Sequence, residues 1–319
     1  MTRAVIFFFT LAGLAAAVWV VRSIGVAPVF AAVQRVGWPG YALYCLYTLA
    51  VLGLLGGAWR AVAPGGGPVI AYAWARTVRE GATDVLPFAQ IGGLVVGGRV
   101  LAGRGVASDL VYASMIADLT TEMASQAMFT LFGVAALVLA LGGAFDGGGV
   151  LRLVLGGTAV TVAVLVAFIV GQRPLLRLMA RLGGRIVPAA VASVDAVTLR
   201  LTAIYRRPGA LALSFGLNLA AWIASGLGAW LALRLIGVVA APWPVLAIEA
   251  LVFAVRSIAF VIPGALGVQE GAYLLLAPLF GIDPAVAVAL SLLKRARDVT
   301  IGLPALLLWQ AGEGRKLLA

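Results

Sequence analysis

The chain has 319 residues, 63% hydrophobic and 11% charged, with a mean hydropathy of +1.10. Soluble domains run nearer to about 45–50% apolar and about 25% charged, so the composition excludes an ordinary soluble protein and indicates a polytopic membrane protein. The 23 Lys and Arg against 12 Asp and Glu give a net charge of +11, yet the cations fall mostly in short segments between apolar runs. There they orient helices and attract anionic lipid rather than nucleic acid.

Apolar runs of about 18 residues or more are spanning-helix candidates. The first, Ala4–Val21, follows a short basic start and contains "LAAAVW", so it reads as a span or as a signal peptide. Trp38–Trp59 is the second. Val106–Leu141 is too long for one bilayer crossing and must tilt, break or protrude. Val150–Val170, Pro208–Leu233, Val245–Ile262 and Asp283–Gln310 follow, the last interrupted by Pro304. Pro68–Asp84 reads either as a surface helix or as a short, weakly apolar span. Trp19, Trp38, Trp59, Trp243 and Trp309 lie near span ends, as aromatic-belt residues do. Residues 172–207 carry seven arginines against one acid, Asp195, which predicts a cytoplasmic loop. Within it, Ile186–Tyr205 has the apolar spacing of a helix lying along the membrane surface. The opposite loop, "GGAFDGGG" at 142–149, has no cation and is expected outside.

Two Gly-rich apolar stretches are short for full spans: "LPFAQIGGLVVGGRVLAG" (Leu86–Gly103) and "IPGALGVQEGAYLLLAP" (Ile262–Pro278). Irregular backbone at membrane depth survives only inside protein or beside a watery cavity, which fits re-entrant or broken helices. The alternative is two ordinary spans with helix-packing glycines. The stretches begin blocks 87–122 and 263–298, which align without a gap at an offset of 176 residues. Only a proline, a glycine and two alanines match, but the order of features is shared: proline, Gly-rich run, glycine turn, then a helix bearing charges. Paired interrupted segments of this kind are expected of transporters built from repeats.

The charges divide between the blocks. In the first, Asp118 and Glu122 are spaced i, i+4 on one helix face, and Gln126 continues it. In the second, Lys294, Arg297 and Asp298 share a face; Glu270 precedes them in the Gly-rich turn, and Arg256 and Glu249 lie on the span before. Ionisable groups are costly in hydrocarbon, and three explanations stay open. They are ion pairs that pin helices, a polar groove for a charged headgroup, or residues snorkelling at the membrane edge. In the groove reading, Arg256, Lys294 and Arg297 face an anionic group, and Asp118, Glu122 and Glu270 neutralise the empty site or carry protons. Asn218 reads as a bond to a neighbouring helix. The chain has no histidine and one cysteine, Cys45, and it shows no Ser/His/Asp set and no metal-ligand cluster. No enzyme activity, cofactor or metal is therefore expected.

"PGALGVQEGAYLLLAPLFGIDPAVAVALSLLKRARD" resembles the PGG-x-G-x-x-E signature of the lysylphosphatidylglycerol synthase transmembrane-region (flippase-like) superfamily. By position, Pro263, Gly264, Gly267, Glu270 and Gly271 match it. "LPFAQIGGLVVGGRVLAGRGV", with Pro87, Gly92 and Gly93, resembles the family's first signature, its LPF-x-Q-x-GG wording most like the hopanoid-biosynthesis-associated membrane subfamily. The chain departs from the broader pattern at Gln90, at Gln269 where relatives often carry Arg, and in having no Glu after Gly92. The resemblance implies a multi-pass bacterial inner-membrane protein that moves a phospholipid or hopanoid-type lipid between leaflets, or that scaffolds lipid-biosynthesis enzymes. The chain ends without a soluble aminoacyl-transfer domain, so synthesis of lysyl-lipid is not expected. The fold expected is an all-α polytopic helix bundle, a single membrane domain over 1–319. About seven or eight membrane segments are anticipated, including the two re-entrant candidates.

Overall fold

A computed structural model describes residues 34–85, 89–141, 166–172, 189–258 and 267–318, with 156, 159, 163, 174 and 265. The expectations for Ala4–Val21, for the loop 142–149 and for Pro87, Pro263 and Gly264 lie outside these residues. The described residues are helical and include no strand. In chain order the helices are α1 (Trp38–Ala61), α2 (Val69–Val85), α3 (Ala89–Ala102), α4 (Ser108–Leu141), α5 (Ala189–Tyr205), α6 (Pro208–Leu235), α7 (Pro242–Ile258), α8 (Val268–Leu276) and α9 (Pro284–Leu318). A 3-10 turn, Ala277–Phe280, separates the last two.

Among the described residues, three helices, α1, α4 and α6, are long and apolar enough to cross a membrane. The 34-residue α4 does not break; at about 51 Å it exceeds a hydrocarbon core of about 30 Å, so it tilts or protrudes. Helix α9 also continues through Pro304 rather than stopping there. Membrane helices tolerate an internal proline where neighbours re-satisfy the freed carbonyl. Helices α3 and α8, with 14 and 9 residues, are each too short to cross alone.

The helix boundaries follow local chemistry. Proline opens α6, α7 and α9, where its missing N–H would have no intrahelical partner. Asp283 caps α9, its Oδ1 accepting the N–H groups of Ala285 at 2.8 Å and Val286 at 3.3 Å. The turn after α3 and the turn after the 3-10 segment share one construction. Gly105 and Gly281 take φ of 85° and 75°. Gly105 N–H donates to Ala102 O and Val106 N–H to Leu101 O; Gly281 N–H donates to Pro278 O and Ile282 N–H to Ala277 O. These are αL stops, also used at Gly237 after α6. The next helices start at Ser108 and Pro284, so the turns and the helix starts both repeat at the 176-residue offset.

Contacts divide the chain into two compact units. The first contains residues up to Val51, Arg76–Val100 and Ala224 onward; the second contains Leu52–Ala75 and Leu101–Ile223. The core of the first is built on α1, α6, α7, α8 and α9, with Tyr44, Leu233, Ile248, Tyr273 and Leu293 buried among alanines. In it α2 crosses α9 backbone to backbone: a Cβ at Gly81 would lie 2.5 Å from Gly302 O. Such contacts are how small residues pack membrane helices.

In the second unit α5 packs along α4, burying Val197, Leu201 and Ile204. Gly56 of α1 meets the backbone of Ala73 of α2, with 2.4 Å from a would-be Cβ to Ala73 Cα. Trp59 is fully buried, not in an aromatic belt: Nε1 donates to Ser114 Oγ at 3.1 Å and its ring meets Tyr72 edge-on. Trp38 and Trp243 are exposed, as the belt reading requires. Helix α2 buries Tyr72, Ala75, Arg76, Val78 and Arg79, while Val69 and Ile70 at its start are exposed.

Candidate functional site

The most concentrated chemistry in the first unit surrounds the break before α8. Ala265 has φ 48° and Gly267 has φ 77°. A left-handed alanine costs about 1–2 kcal/mol, so its neighbours must hold it. Arg295 of α9 does this: Nη2 donates to Ala265 O at 3.1 Å, and Nε donates to Glu270 Oε1 at 3.2 Å. Glu270 Oε2 accepts the Gly267 N–H at 2.8 Å and so closes the start of α8. Ser291, one turn before Arg295, donates to Glu270 Oε1 at 3.1 Å and is bonded at 2.8 Å to Gln269 Nε2. The Gly-rich turn, the glutamate and the basic helix thus form one structural device.

Beside it lies a buried triad. Lys294 donates to Glu249 of α7 and, at 2.8 Å, to the Tyr273 hydroxyl of α8; Tyr273 donates to the same carboxylate. Lys294 and Glu249 are 5% and 6% exposed and Tyr273 is fully buried, so the pair has almost no water to screen it. Further along α9, Arg297 sends Nε and Nη2 to Asp298 Oδ1 at 2.9 and 2.6 Å. Its Nη1 donates to the Tyr44 hydroxyl at 2.9 Å, and the guanidinium sits 5.2 Å from that ring's centre. Tyr41 OH is 2.6 Å from Thr300 Oγ1. A fourth pair, Arg256–Asp84, is looser at 4.0 Å, and both side chains are about one-quarter exposed.

The second unit holds its own polar centre on α4 and α6. Asn218 Nδ2 donates to Asp118 Oδ1 at 3.3 Å and to Thr121 Oγ1 at 3.2 Å, and Thr121 Oγ1 is 2.7 Å from Ser214 Oγ. Asp118, Asn218 and Ser214 are fully buried. Nearby, Thr120, Gln172 and Tyr205 close a three-membered ring of hydrogen bonds at 2.7–2.9 Å.

Glu270, at the start of a glycine-opened helix, is thus bonded to Arg295 and Ser291 of the basic helix. The model of the family described as Lysylphosphatidylglycerol synthase TM region matches residues 4–305, which include the whole network from Tyr41 to Thr300. The chain belongs to that family. No curated protein and no solved structure matches it significantly. Membership makes this a membrane protein of lipid metabolism.

Within this family member, Arg256, Glu270, Lys294, Arg297 and Asp298 gather in the first unit, with Gly267 and Gly271 at the start of α8. Asp118, Glu122 and Gln126 belong to the second unit, the first two buried and Gln126 half-buried. Gly92 and Gly93 lie on α3, where a Cβ at Gly93 would meet Thr83 Oγ1 at 2.1 Å. Lys294 and Arg297 take Glu249 and Asp298 of their own unit as partners. Asn218 bonds a neighbouring helix, as its sequence context suggested.

Sequence reasoning missed Tyr44, Asp84, Tyr273, Ser291 and Arg295. Grouping by i, i+3 and i+4 from Lys294 selects 297 and 298. Ser291 and Arg295 form their own i, i+4 pair on an adjoining stripe, and the two stripes together cover an arc of about 160°. Carrying that spacing to every charge on α9 would have found Arg295. The tyrosines carry no sequence signal, since an aromatic in an apolar run reads as packing.

Proposed function

We propose that this protein is a lipid transporter of the flippase type, serving hopanoid or envelope-lipid metabolism in a bacterial inner membrane, and that it is not an enzyme. In this reading a lipid headgroup is held at the polar network of α7, α8 and α9 while the acyl chains stay in the bilayer. The observation that carries the proposal is the set of four acid–base pairs in the first unit, two of them bonded to the short helix α8 through Glu270 and Tyr273, in a chain otherwise fit for lipid. Pinning helices needs one pair, and each further charge raises the cost of insertion. The repeated turn geometry at 105 and 281 supports the reading, because transporters place sites at interrupted segments in corresponding parts of the chain. Helices α3 and α8, each too short to cross, fit re-entrant segments.

The test is reconstitution of purified protein into vesicles carrying acyl-labelled lipids, with leaflet movement read by chemical quenching from outside. Wild type should accelerate movement well beyond protein-free vesicles, and Arg297→Lys should lower the rate at least fivefold with unchanged folding. A wild-type rate equal to that of empty vesicles would sink the transport reading.

One observation favours a second reading, a non-catalytic scaffold for lipid-biosynthesis enzymes: each of Lys294, Arg295 and Arg297 already has an acid within the first unit. A scaffold would lose function when the arginines of residues 172–207 are replaced and would tolerate Arg297→Lys.

A further inference from the structure

Resting on the headgroup-site reading, we infer that the ligand of the first-unit network is a zwitterionic phospholipid headgroup, a phosphodiester joined to an ammonium group, rather than a net anion. The argument begins with charge. Arg256, Lys294, Arg295 and Arg297 are matched by Asp84, Glu249, Glu270 and Asp298. The four cations and four acids balance, so these paired groups carry no formal net charge. Here each of these guanidinium and ammonium groups is already engaged, so a ligand enters by exchanging partners.

The pairs are not equally open to exchange. Lys294–Glu249 is buried on both sides and tied to Tyr273. Arg295–Glu270 also holds Ala265 O, so opening it would release the strained turn. Arg297 keeps two bonds to Asp298 and one to Tyr44. Arg256–Asp84 is the longest pair, at 4.0 Å, and the most exposed on both sides. Opening it presents a guanidinium and a carboxylate side by side.

A phosphate fits the guanidinium fork in bidentate fashion. If the ligand brought only that phosphate, Asp84 would lose its guanidinium partner with nothing in exchange. A ligand that also carries an ammonium replaces both partners at once: phosphate on Arg256, ammonium on Asp84. Electroneutrality of the network is then the same before and after binding with no proton taken up, whereas an anionic lipid on Arg256 would require Asp84 to gain a proton.

The experiment uses full-length protein in nanodiscs of equal phosphatidylethanolamine and phosphatidylglycerol. Headgroup occupancy is read by native mass spectrometry, and acyl-labelled versions of both lipids are followed in vesicles. Expected are retention of the ethanolamine lipid at least tenfold above the glycerol lipid, and loss of that preference in Arg256→Gln and in Asp84→Asn. The swap Arg256→Asp with Asp84→Arg should keep part of the preference, which separates loss of the pair from loss of the fold. Equal or greater retention of phosphatidylglycerol by wild type overturns the inference even if both lipids move. Selective retention of phosphatidylethanolamine with no movement of either lipid upholds it and removes the transport reading.

Discussion

Arg297 and Asp298 are sequence neighbours and lie 100° apart around α9, a spacing at which side chains do not ordinarily face each other. The guanidinium still bonds Asp298 Oδ1, while its Nη1 donates to Tyr44 of α1. Lys294 illustrates the complementary case, a charge whose partner lies on another helix. Replacing Lys294 with Met leaves Glu249 as an unpaired buried carboxylate, and should cost about 3–5 kcal/mol of stability. Adding Glu249→Leu to Lys294→Met should recover most of the loss, because two apolar groups then occupy the space of the pair. Unfolding in detergent followed by helical signal measures both. A single variant as stable as wild type would show that Lys294 is not charged in place. At Gly267, φ is 77° and a Cβ would meet open space, so Gly267→Ala should cost only the backbone strain, about 1–2 kcal/mol.

Helices pack here by two means that sequence displays unequally. Where α2 crosses α9, Gly302 would bring a Cβ to 2.7 Å from Gly81 Cα. Neither side has a flexible side chain to yield, so Gly302→Ala or Gly81→Ala must push the helices apart. A loss of about 1–3 kcal/mol is expected from such overpacking. Gly53 on α1 is the control: nothing lies within 4 Å of its would-be Cβ. Gly53→Ala should therefore be neutral or stabilise by up to about 1 kcal/mol through helix propensity. Thermal denaturation of the three variants separates the cases; equal effects at 53 and 302 would refute the close crossing. Both glycines lie in glycine-bearing apolar stretches, and nothing local distinguishes them. The helix starts and stops were more legible. Pro208, Asp283–Pro284 and the glycines at 105, 237 and 281 mark boundaries that the helices observe. The exceptions are Pro304, which sits inside α9, and α2, whose buried arginines hid its position between surface and span.

For the molecule as a whole, the arginines of residues 172–207 predict a cytoplasmic face, since translocating positive residues is disfavoured. In a Cys45→Ala background, Arg181→Cys should react with a membrane-impermeant thiol reagent only when the cytoplasmic side is open. Labelling from the outside of intact cells would reverse the topology. The sequence by itself determined that this is an all-helical membrane protein of its family, because hydropathy, charge placement and the PGALGVQEG signature are local properties of the chain. It also marked α9 as the charged helix and Glu270 as the acid at the start of α8. Only the tertiary structure decided who pairs with whom. It gave Lys294 to Glu249, 45 residues away, set Arg295 against Glu270 and the strained Ala265, and placed two tyrosines among the charges. The reason is physical. The cost of burying a charge can be read residue by residue, but its compensation depends on which helix faces arrive within about 3 Å of one another, and several pairings satisfy the same pattern of charges.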